Sequence, residues 1–151
     1  EDACEIIRRG WSGEPVNYEG KRFSLGDLPI TPAPEKIPAL LIGLDDSGYD
    51  TTPEGWRISK LVPGITARRV RELGGTGGKI MVYLRSDTAA ANTRNLQTLA
   101  QVIQDFAAED LLLVVEFLTY ALPGEDKAAF AAAIWPAYSA SRVDPVKAIG
   151  P

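Results

Sequence analysis

The chain contains no histidine, and that absence removes more chemistry than any other feature of its 151 residues. Ser-His-Asp and Cys-His catalysis are excluded, and so is the commonest metal ligand. Cysteine is almost as scarce. A lone Cys4 excludes an internal disulfide and fits a reducing cytoplasm, and its apolar helical surroundings mark it as a packing residue. Excess basic charge is missing too. A net charge of −4 gives no electrostatic footprint for nucleic acid or an anionic membrane. No apolar run approaches the roughly 18 residues of a membrane span, and no signal peptide is evident. The first residue is Glu1 rather than methionine, which reads as a fragment or a processed chain.

What is present suits one soluble globular unit: apolar residues make up 45% and charged ones 24%, the usual balance for a packed core. The segment "EDACEIIRRGW" places Ala3, Ile6, Ile7, Gly10 and Trp11 on one helical face. "SGEPVNYEGKRFSL" reads as a hairpin turning at Glu19-Gly20, and Pro29, Pro32, Pro34 and Pro38 make the following stretch an extended connector. The composition then changes at Ala39. "ALLIGL" is a buried strand and "DDSGYDTTPEGW" a turn. A helical spacing follows through Ile58, Leu61, Val62 and Ile65, then Val70 and Leu73, split at Pro63-Gly64.

"GGTGGKIMVYLRSD" resembles a phosphate loop only superficially. The glycine required four residues before Gly78-Lys79 is Leu73, the residue after the lysine is Ile80, and "KIMVYL" is a strand. Beyond it, Leu96, Leu99, Ile103 and Phe106 define a helix capped by Asn92 or Thr93, and "LLLVVEFL" is a further buried strand. "EDKAAFAAAIWPAYSA" is helical up to a kink at Pro136, and "VDPVKAI" is a last strand. The order from Ala39 is βαβαβαβ, a parallel α/β architecture. Its four strands make either a small open sheet or half of an eight-stranded TIM barrel.

Two charges interrupt apolar strands, Lys79 in "KIMVYL" and Glu116 in "LLLVVEFL". An unpaired buried charge costs several kcal/mol, roughly 3–5, so each needs a partner or a cavity. Ligand cavities form at the C-terminal ends of parallel strands. The bland readings are an exposed lysine at a strand start and a structural ion pair for Glu116.

"SGYDTTPEGWRISKLVPGITARRVRELGGTGGKIMVYLRSD", "FAAEDLLLVVEFLTY" and "RVDPVKAIGP" together resemble the tagatose-bisphosphate aldolases, a class I family to which sulfofructosephosphate aldolases are similar. The resemblance implies a half-barrel over residues 39–151, with residues 1–38 as a helix-hairpin extension and connector. It implies an imine-forming carbon–carbon lyase acting on a ketose phosphate. Its Schiff-base lysine corresponds to Lys147 and its acid/base glutamate to Glu116, while Lys79 corresponds to a strand lysine that binds substrate. The chemistry is consistent. An amine attacks a carbonyl only when neutral, and a neighbouring cation or desolvation lowers its pKa. A carboxyl in an apolar mouth can shuttle protons. No cofactor and no metal is expected.

A second resemblance covers residues 1–43, "ACEIIRRGWSGEPVNYEGKRFSLGDLPITPAPEKIPALLIG", which is similar to luciferase-like flavin- or deazaflavin-dependent oxidoreductases. Meeting within one strand, the two resemblances imply a chimera of barrel pieces. The competing readings are therefore an aldolase-like domain, a non-enzymatic recombined scaffold that self-associates as a homo-oligomer, and a fragment of a flavin or deazaflavin enzyme. The expected partner is a small sugar phosphate, with no nucleic acid and no membrane.

Overall fold

The computed structural model describes residues 1–126 and 128–131. Helix α1 (Asp2–Gly10) leads into an antiparallel hairpin, β1 (Val16–Glu19) and β2 (Ser24–Leu28), which turns over Gly20–Phe23, next to the Glu19-Gly20 step around which the sequence places it. The helix packs closely enough that a side-chain carbon on Gly10 would lie 2.5 Å from Ile30 of the connector.

The centre of the molecule is a three-stranded parallel sheet in the order β3 (Leu41–Gly43), β6 (Gly77–Tyr83), β7 (Leu112–Leu118). This mixed α/β architecture with a parallel sheet accords with the sequence. Between β3 and β6 the structure departs from it. The residues read as a turn and a helix form an antiparallel hairpin, β4 (Asp45–Thr51) and β5 (Arg57–Leu61), and only then a short helix, α2 (Ala67–Glu72). Ile58, Leu61, Val62 and Ile65 mimic a helical period, but β4 supplies the backbone partner that makes Arg57–Leu61 a strand.

Helix α3 (Ala89–Ala108) starts at Thr88, whose hydroxyl accepts the Ala91 N–H, rather than at Asn92 or Thr93. Its buried stripe is Ala91, Asn95, Leu99, Val102 and Phe106. Leu96 and Ile103, expected inside, are exposed. The stripe is rotated because a polar residue holds a core place. Asn95 accepts the Ser59 N–H and donates to the carbonyls of Arg57 and Tyr83, stitching α3 to β5 and β6.

Leu44, Ala67, Val70, Ile80, Val82, Leu99, Val102 and Phe106 form the core, between one face of the sheet and helices α2 and α3. Alternation along β6 sends Gly78, Ile80 and Val82 toward it. The paired glycines of "TGGK" have a packing cause. A side chain on Gly78 would meet the Phe106 ring at 2.5 Å, and one on Gly77 would meet the Leu112 carbonyl at 2.6 Å. After β7, the Asp126 carboxylate caps the N–H groups of Ala128 and Ala129, opening the expected helix. The rest of that helix, Pro136, the last strand and Lys147 lie outside the described residues.

Candidate functional site

The opposite face of the sheet carries no helix among the described residues, and on it lie the two charges that interrupt the strands. Lys79 and Glu116 stand on adjacent strands, offset by one pleat: Lys79 is level with Val114, and Glu116 with Met81. The lysine Nζ reaches diagonally to the carboxylate at 2.5 Å. Neither charge is buried, with side chains 39% and 46% exposed. Lys79 is also the third residue of β6 rather than its first.

A third ionisable group completes the cluster. Asp45 follows β3 where that strand diverges from β6. The ladder ends with the Leu44 N–H donating to the Lys79 carbonyl, and both Asp45 oxygens then accept the Met81 N–H at 3.0 and 3.1 Å. Burial pushes the Asp45 carboxyl above its ordinary range, against the Met81 hydrogen bond and the Lys79 charge, which pull it down. The hydrogen bond to Glu116 pushes the Lys79 ammonium upward, opposed by desolvation. Lys79 is thus held as a cation, while burial favours the protonated form of Asp45. The sequence offered one signal for Asp45 that the reading as a turn obscured: an acidic pair immediately after a buried parallel strand.

Two arginines at the C-terminal end of the sheet also escaped the sequence reading. Arg85, just beyond β6, is buried and held by Asp87 and Glu125 at 2.7 Å, and it donates to the Tyr120 carbonyl. The Arg57 guanidinium lies among the rings of Tyr49, Tyr83 and Tyr120, and the Arg57 backbone N–H donates to the Tyr120 hydroxyl. No periodicity reveals these partners, because they come from four separate segments. Among the described residues no group of His, Cys, Asp and Glu side chains is arranged to hold a metal, and no helix is long and apolar enough to cross a membrane.

An α/β unit with a lysine–carboxylate cluster on an open parallel sheet is the class that fold and site define. Within that class the chain is distantly similar to the tagatose 1,6-diphosphate aldolases of Staphylococcus aureus (strain bovine RF122 / ET3-1) and Lactococcus lactis subsp. lactis. It is 29% identical to each over 94 residues, which is 62% of this chain and 28% of the relative. The chain therefore matches little more than a quarter of the length of these relatives, and neither is a luciferase-like oxidoreductase. No family model matches.

Proposed function

We propose that the chain is the aldolase-like part of a TIM barrel that cleaves or forms a carbon–carbon bond in a ketose phosphate through a lysine Schiff base. The observation that carries this reading is the Lys79–Glu116 pair on the open sheet face, with Asp45 beside it. In a closed barrel that face turns inward, and its polar groups converge on a bound substrate. Lys147 is the nucleophile, Glu116 the acid/base group and Lys79 the substrate-binding cation, with Asp45 added as a second proton carrier. A cation held as firmly as Lys79 favours a neutral amine on a lysine near it.

Borohydride reduction in the presence of dihydroxyacetone phosphate tests the reading. A reduced adduct on Lys147, lost in Lys147→Ala and diminished in Lys79→Ala, is expected. An unmodified Lys147 in a folded sample sinks it.

One observation favours the scaffold reading instead. Leu41, Leu112 and Val114 are exposed on the same open face, and β3 and β7 are sheet edges among the described residues. Exposed apolar faces and edges invite pairing, and two copies bring two such faces together. Sedimentation of a stable monomer at micromolar concentration would remove self-association.

A further inference from the structure

A phosphorylated sugar brings a dianion, and Lys79, which can hold a sugar oxygen, accommodates that dianion poorly. That ammonium is already paired with Glu116, with Asp45 close by, so a phosphate there meets two carboxyl groups. Among the described residues, Arg57 is the only cation withdrawn from the surface that has no ion-pair partner. The others so placed are Arg69, Lys79 and Arg85, and each carries at least one carboxylate.

We propose that Arg57, gripped by Tyr49, Tyr83 and Tyr120, anchors a phosphate-binding subsite at the C-terminal end of the sheet. The guanidinium carbon lies 4.1 Å from the Tyr49 ring centre, 4.8 Å from Tyr120 and 5.6 Å from Tyr83. Ring faces attract the cation through its π surface and leave the in-plane N–H fork available, the geometry suited to two oxygens of one phosphoryl group. The Tyr49–Tyr83 and Tyr83–Tyr120 contacts are edge-on, which keeps the three rings in a fixed frame.

The frame is anchored from behind. Arg85 donates to the Tyr120 carbonyl at 2.6 Å, and the Tyr120 hydroxyl accepts the Arg57 backbone N–H at 2.9 Å. In front, Arg57, Tyr49, Thr51 and Gly55 line a depression of about 300 Å³, at the lower end of the size of small-molecule sites. Thr51 lies directly opposite Arg57 across the hairpin. Tyr83 closes β6 at the strand end where α/β sheets bind their ligands. The assignment deepens the proposed function, on which the sugar attached to the phosphate depends. The oxyanion site itself does not depend on it.

The test follows the Arg57 Nε–Hε resonance of the ¹⁵N-labelled chain during titration with inorganic phosphate, then with dihydroxyacetone phosphate. A saturable shift is expected with both. Arg57→Gln should weaken binding about tenfold or more, the loss of charge-assisted hydrogen bonds, while Arg68→Gln, at an exposed arginine of α2, retains it. Arg57→Lys, which keeps the charge without the fork, should also weaken it. No saturable shift in the folded wild-type chain overturns the subsite whatever the variants do, and so does undiminished binding by a folded Arg57→Gln. Uptake of inorganic phosphate with exclusion of dihydroxyacetone phosphate overturns the sugar-phosphate assignment. Inorganic phosphate forms no imine. Failure of Lys147 trapping with phosphate binding intact therefore rejects the aldolase reading alone, and the reverse pattern rejects the subsite alone.

Discussion

The two faces of the sheet are built from the same strands and obey different rules. On the helix-covered face every β6 residue is buried, glycine is used where a ring must approach, and Asn95 satisfies three backbone groups at once. On the open face the same strands present Lys79, Glu116, Leu112 and Val114 with no layer over them among the described residues. Along β6 one face is finished as a core, although Phe117 of the edge strand β7, level with Val82, stays exposed. The other is chemically equipped and structurally unfinished, as expected of a surface that meets a ligand or more protein. The ion pairs repeat the contrast: Arg85 is buried between two carboxylates, whereas the Lys79–Glu116 pair is half exposed.

The largest effect is expected where a charge is buried. Arg85→Met leaves Glu125, itself mostly buried, without its counterion, and should cost about 3–5 kcal/mol in urea unfolding. The same cluster sets the acid limit. The Arg85 hydrogen bonds hold the Asp87 carboxyl, and with the Leu122 N–H the Glu125 carboxyl, below their ordinary values of 3.8 and 4.5. Carboxyls with lowered folded pKa values contribute stability that is present above those ordinary values and lost as pH falls through the lowered ones. Solvent screening reduces the share from half-exposed Asp87. Wild type should therefore lose stability through the acid carboxylate range, and Arg85→Met should show a flatter profile. An equally steep profile in the variant would assign the acid limit to other carboxyls.

A smaller effect should separate the two faces directly. Gly78→Ala drives a methyl group into the Phe106 ring and should cost about 1–3 kcal/mol. Gly43 pairs with Lys79 on β3, and a methyl group there meets nothing within 4 Å. Gly43→Ala should be neutral or stabilise by about 0.4–1 kcal/mol through the unfolded state. Thermal melts of the two variants measure the asymmetry. Equal losses would mean that the open face is covered in solution.

The parallel strands were legible because Ile80 to Leu84 and Leu111 to Val115 are apolar runs with few alternatives. The first hairpin was legible through Glu19-Gly20. The second was hidden because β4, "DDSGYDT", is polar and mostly exposed, and reads as a turn. Its partner β5 then inherited a false helical period. At the site, Lys79 and Glu116 stood out as charges in apolar strands, and the structure brings them together. Asp45 and Arg57 did not stand out. Asp45 acts through the Met81 backbone, and the ring partners of Arg57 lie 8, 26 and 63 residues away in sequence, at Tyr49, Tyr83 and Tyr120.

The smallest change in stability is expected at the site itself. In sequence Glu116 interrupts a buried strand, and replacing a buried charge by a hydrophobe is often neutral or stabilising. The structure removes that reason, because both partners of the pair are half exposed. Exposed pairs contribute roughly 0–1 kcal/mol, and the freed Lys79 ammonium can be solvated, so Glu116→Leu should leave the melting temperature nearly unchanged. The chemistry should respond very differently. If Glu116 moves protons during imine formation and carbon–carbon cleavage, its removal should slow turnover by about 10²–10⁴-fold. A fold left intact with catalysis lost is what an acid/base group on an unfinished face predicts. A clear fall in melting temperature would instead make the pair a structural bridge between β6 and β7, and unchanged turnover would remove Glu116 from the mechanism.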